Sequence, residues 1–109
     1  MMATLSQIQK RVRNTKTGDW VVTEYFRKQA DFRRVEPEQA IANIQNRADA
    51  VWRFSQHRGI KGQRIEIFVR VSRLKTHDYV VEANDGIYLV NVIVIDGKKQ
   101  GKLKRYENR

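Results

Sequence analysis

The side chains able to do chemistry in this 109-residue chain are few and far apart. His57 and His77 each stand alone, with no second ligand at helical or hairpin spacing, so neither reads as a metal ligand. Asp31, Glu36, Asp49, Glu66, Asp78, Glu82 and Asp85 are scattered singly, and a metal-dependent nuclease would need the fold to gather them. The six glycines mark separate turns and build no phosphate loop. Cysteine is absent, which removes disulfide frameworks, thiol nucleophiles and cysteine-ligated zinc together. The expectation is a protein that is not an enzyme, with no catalytic residue, no metal and no cofactor.

What the residues offer instead is charge. Twenty-two Lys and Arg against 12 Asp and Glu give +10 and a pI near 10.3, so a polyanion is the natural partner, with DNA or RNA the commonest. The excess is uneven, for residues 98–109 hold six cations against Glu107. Lys98, Lys99, Lys102, Lys104 and Arg105 are therefore the candidate contacts to DNA or to a partner; a solvated terminal strand is the plain alternative. Trp20, Trp52, Phe54, Tyr79, Tyr88 and Tyr106 would stack bases if displayed on a basic surface, although Trp52 and Tyr88 lie in apolar segments and read as core. No ribonucleoprotein motif or helix-turn-helix is present, so sequence-specific recognition has no support.

The elements that would carry these residues follow from periodicity. "SQIQKRVRN" and "WVVTEYFRKQADFRRVEP", joined by a turn at Thr17, Gly18 and Asp19, are rich in β-branched and aromatic residues and predict two or three strands. From Pro37 the period changes: apolar residues at 40, 41, 44, 48, 51 and 52 predict a helix over about 37–56. Ile41, Ile44, Ala48 and Val51 form its inward stripe. Gln39, Asn43, Arg47 and Arg53 lie off that stripe and are candidate oligomer or partner contacts. "QRIEIFVRVSR" alternates cleanly, with Ile65, Ile67, Val69 and Val71 on one face. "HDYVVEA", the "NDG" turn, "IYLVNVIVI" and "KLKRYEN" extend an antiparallel meander over 64–107. A nine-residue apolar strand needs neighbours on both sides and cover on both faces. The expected fold is mainly β, a small antiparallel barrel or sandwich of six to seven strands with one helix, forming a single domain over residues 1–109. No secretory signal is expected at the N-terminus, and the longest apolar run is too short to span a bilayer as a helix.

In order, "SQIQKRV", Gly18, "FRRVEP", "RIEIFVRV", "DYVVEANDGIYLVNVIVID" and "KLKRYEN" resemble the head-tail joining proteins of tailed bacteriophages, also called head-closure, head-completion or stopper proteins. The resemblance implies a small β-barrel with a helix, assembled as a homo-oligomeric ring between portal and tail. Such a protein resides in the virion after assembly in the bacterial cytoplasm, and helps retain packaged DNA. Portal or adaptor proteins and tail proteins would be its partners, with nonspecific contact to packaged DNA and no membrane. The alternative is a small basic β-barrel protein that binds DNA or RNA without sequence specificity.

Overall fold

The computed structural model describes residues 3–56 and 62–97. Its first element is a helix, α1 (Leu5–Asn14), where the sequence predicts a strand. A reciprocal cap explains the difference: Gln7 donates its backbone N–H to Thr4 Oγ1 at 3.2 Å, while Gln7 Oε1 accepts from Thr4 N at 2.8 Å. Ile8 and Val12, four residues apart, are the buried pair. A short 3-10 turn (Thr17–Asp19) leads into strand β1 (Trp20–Val22). Thr23 then caps a second unexpected helix, α2 (Glu24–Arg33), by accepting from Phe26 N at 3.1 Å. Again the inward residues, Phe26 and Ala30, are spaced by four. The helix stops at Arg34, a left-handed residue with φ 56° whose N–H returns to Ala30 and Asp31 carbonyls.

The helix expected over 37–56 is shorter. It runs as α3 (Pro37–Asn46), with Pro37 in its first turn, and buries Ala40, Ile41 and Ile44. Ala48 is exposed, and Val51 belongs to strand β2 (Val51–Phe54). The helical spacing of Val51 and Trp52 is thus a coincidence of a strand that begins four residues after Arg47. Three further strands follow: β3 (Gln63–Arg70), β4 (Thr76–Ala83) and β5 (Ile87–Ile95). The strand expected over 102–108 lies outside the described residues.

The five strands form one mixed sheet in the order β1-β5-β4-β3-β2. β2, β3, β4 and β5 pair antiparallel in succession, and β1 adds to β5 in parallel through Trp20↔Ile87 and Val22↔Leu89. The mainly β expectation holds, as does the interior position of "IYLVNVIVI", flanked by β4 on one side and β1 on part of the other. The closed barrel, the sandwich and the single helix do not hold. Among the described residues the sheet is open, with β1 and β2 at its edges, and three helices rather than a second sheet cover one face. Ile8, Val12, Phe26, Ala30, Ile41 and Ile44 from the helices meet Ile65, Ile67, Val69, Tyr79, Val81, Leu89 and Val92 from the sheet in one core. Val92 is fully buried there. Val92→Asp is expected to unfold the protein or lower its stability by about 4 kcal/mol, because it leaves a charge unpaired in that core. Urea denaturation with far-ultraviolet circular dichroism checks this; a loss under about 1 kcal/mol would contradict the assignment of Val92 to the core.

Candidate functional site

The residues expected to contact partners separate in space. Lys98, Lys99, Lys102, Lys104 and Arg105 lie outside the described residues. Gln39 and Asn43 stand one turn apart on α3 with their side chains hydrogen-bonded at 3.1 Å, and Arg47 follows at the helix end. Together they line an open cleft of about 680 Å³ whose other walls include Arg34, Glu36, His77 and Tyr79. Arg53 is elsewhere, on β2, where alternation turns it away from the helices.

At the floor of the cleft Tyr79 is fully buried, and its hydroxyl accepts from Asn43 Nδ2 at 3.0 Å and lies 2.9 Å from His77 Nδ1. Donation from that hydroxyl to Nδ1 places the proton of the neutral imidazole on Nε2. Burial, and secondarily Lys75, holds the His77 pKa below its ordinary value, so the ring is neutral; burial also raises the Tyr79 phenol. Arg47 is committed to structure: its guanidinium clasps both oxygens of Asp49 at 2.9 and 2.8 Å and also donates to the Arg70 carbonyl at 2.8 Å. The sequence reading takes His77 as an isolated residue. Its partner Tyr79 is two residues on along β4, and a strand assignment places both on the same face, but Asn43 joins them only through the packing of α3 on the sheet.

The opposite face of the sheet carries a ladder of charges. Arg53 reaches Glu66 at 3.1 Å and lies 4.9 Å over the Phe68 ring, while Arg64 reaches Glu82 at 3.3 Å. Asp78, 3 % exposed, has its carboxyl pushed up to about 9 by burial and by a hydrogen bond to Glu66, with Arg53 pulling the other way. That direction of shift favours the protonated form of Asp78 at neutral pH. These residues act as a structural seam, and Arg53 belongs to it. Among the described residues no group of three or more His, Asp or Glu is placed to hold a metal, and no helix is long and apolar enough to cross a membrane.

A third surface exists only because residues 6–14, expected as a strand, are part of a helix. As a helix, α1 turns Ile8 and Val12 inward and leaves Lys10, Arg11 and Arg13 exposed, with Lys16 exposed just beyond. No acidic residue occurs before Asp19. The Arg13 guanidinium lies 5.6 Å from the centre of the Trp52 ring on β2. The signal in the sequence was the Thr4–Gln7 capping pattern, which identifies the helix and so the outward set. Comparison with family models, curated proteins and solved structures finds no match for the chain.

Two outcomes follow from the seam. The Asp78 pKa is raised on folding, so its contribution to stability is complete below the unfolded value of 3.8 and declines as pH rises toward about 9. Asp78→Asn should flatten the fall in urea-midpoint stability between pH 5 and 9 and leave the variant more stable than the parent at pH 8. An unchanged slope would place the proton elsewhere. Arg53→Glu should lower the melting temperature by several degrees, since it removes the cation paired with Glu66 and sets a further acidic group beside Glu66 and Asp78; differential scanning calorimetry reads the shift.

Proposed function

We propose that the chain is a non-catalytic protein that holds DNA or RNA through phosphate contacts without reading base sequence. The observation that carries this is the charge of α1: Lys10, Arg11, Arg13 and Lys16 are exposed within an acid-free stretch of 18 residues. Of these, Arg11 lies near enough to Asp85 to help lower its pKa, whereas elsewhere in the described residues cations are held in direct ion pairs, as in Arg47–Asp49, Arg53–Glu66 and Arg64–Glu82. The lysines of residues 98–104 add a second set of candidate contacts. Phosphate contacts release counterions, so affinity falls steeply with salt, by a log–log slope of roughly 0.9 per phosphate neutralised on a duplex.

A second reading is the structural adaptor of a tailed-phage or prophage virion, forming a ring between portal and tail. The order of motifs from "SQIQKRV" to "KLKRYEN" supports it, and the outward residues Gln39 and Asn43 beside the cleft would supply a contact to portal or tail proteins. Its support lies in the linear motifs, because the open sheet with three helices differs from the closed barrel that the resemblance implies. Sedimentation of the purified chain into closed rings, alone or with a portal protein, would favour this reading over the first.

For the leading reading, the parent protein is expected to bind unrelated duplexes with similar affinity at low salt. The double substitution Lys10→Gln and Arg13→Gln should reduce the salt slope by about 1 to 2, and neutralising Lys98, Lys99 and Lys102 should reduce it further. Fluorescence anisotropy across a salt series measures both. Affinity independent of salt in the parent would refute the reading.

A further inference from the structure

We propose that the junction of α1 and β2 takes single-stranded nucleic acid, with Phe54 as a base-stacking platform and Lys10 and Arg13 as phosphate contacts; this rests on the polyanion reading above and names its substrate class. Of the aromatic residues that would stack bases, the structure withdraws several. Trp20 and Tyr79 are buried, and Tyr88 is tied to Asp85 by a 2.7 Å hydrogen bond. Phe54 remains 43 % exposed, at the end of an edge strand whose one partner among the described residues is β3. Trp52, two residues earlier, shares its face and packs against the core, which anchors the strand. The intervening Arg53 pairs with Glu66 on the other face, so the cation that lies over Trp52, Arg13, comes from α1 instead.

The geometry sets that helix along the strand. Gln63, at the start of β3 near the Phe54↔Ile65 pair, bonds Ala3 in both directions, accepting from Ala3 N at 3.0 Å and donating to its carbonyl at 3.1 Å. Arg13, near the other end of α1, lies over Trp52. The outward side of the helix forms a shallow groove of about 340 Å³ lined by Ser6, Gln9, Lys10, Arg13 and Asn14, every one a hydrogen-bond donor to phosphate or sugar oxygens. Tyr25 and Phe32 are more exposed than Phe54, but their helix carries Glu24 and Asp31 and lacks an unbroken positive surface. A duplex hides the faces of its bases, so an exposed ring beside phosphate contacts gains stacking only from an unpaired strand.

The test uses the full chain, a labelled oligothymidylate, an abasic strand of the same length and a mixed-sequence duplex, at low salt. Oligothymidylate should bind on the order of tenfold more tightly than the abasic strand, and Phe54→Leu, which keeps apolar bulk and removes the ring, should erase that difference while leaving duplex affinity unchanged. Lys10→Gln with Arg13→Gln should weaken all three ligands. Equal affinity of the parent for the thymidylate and abasic strands overturns the inference, whether or not Phe54→Leu folds, and leaves the phosphate reading standing if the α1 substitutions still weaken binding. A parent that binds none of the three overturns both.

Discussion

One apolar surface dictates the arrangement of the whole chain. Ile65, Ile67 and Val69, then Tyr79 and Val81, then Ile87, Leu89 and Val92 lie side by side on three adjacent strands, each nearly or wholly removed from solvent. Burying an aliphatic side chain of this size is worth about 1.5–3 kcal/mol, so leaving the face open would forfeit most of the net stability of a domain this small. A ten-residue helix is roughly 15 Å long and 10 Å across, whereas five strands spaced by about 4.8 Å make a sheet near 20 Å wide. One helix cannot cover it. Three short helices do, and each contributes a pair or trio of residues at helical spacing: Ile8 and Val12, Phe26 and Ala30, each pair four apart, and Ile41 and Ile44 with Ala40.

The same surface explains how a strand apolar on both sides avoids needing a second sheet. Val81 pairs with Leu89 and Val80 with Asn91, so Val90 is an extra residue on β5 and the facing of its side chains switches there. Ile87 and Leu89 before the bulge and Val92 after it all reach the helical core, while Asn91 closes the irregularity by accepting from Val92 N at 2.8 Å. Beyond the bulge the apolar run is spent partly on the other face, where Ile93 is 38 % exposed. Phe68 and Val80 are buried outside the helical core, and the Arg53 guanidinium over Phe68 helps to close that side. Among the described residues, charged side chains with long apolar stems contribute to the cover of the reverse face.

The legible part of the fold was the part whose pattern has a single reading. Ile65, Ile67 and Val69 alternate with polar residues, and only a half-buried strand has that period. "SQIQKRVRN" has two apolar residues four apart, which fits a helix, yet Ile8 and Val12 are both strand formers and composition alone favours a strand; the cap at Thr4 and Gln7 decides for the helix and is local. In "TEYFRKQADFRR" the aromatic residues misled directly. Tyr25 and Phe32 look like strand core yet are 55 % and 83 % exposed, while the smaller Ala30 is buried. Asp49, tied to Arg47, sits in the turn that separates α3 from β2, and no periodic pattern reports a turn held by a side-chain fork. Of the candidate site, the grouping of Gln39 and Asn43 was visible as helical spacing, whereas the juxtaposition of Asn43 with His77 and Tyr79 depends on how α3 lies on the sheet.

The cations of α1 have a structural explanation that accounts for only some of them. Arg11 and Arg13 lie in the last turn, where the negative end of the helix dipole favours positive charge. By the same rule an acid in the first turn would be worth about 0.3–1 kcal/mol, and none is there. Instead Thr4 and Gln7 satisfy that end with neutral groups. Lys10 is an exposed cation placed three residues before Arg13, a like-charge spacing that weakens a helix by about 0.2–0.5 kcal/mol. Stability alone would select an acid near Thr4 and a neutral residue at position 10. The described residues carry fourteen Lys and Arg against eleven Asp and Glu, a net +3 of the chain's +10, so acids were available to the fold and are placed elsewhere. A helix that forgoes part of its own electrostatic optimum and keeps Lys10, Arg13 and Lys16 exposed is what the proposed phosphate-binding role would require.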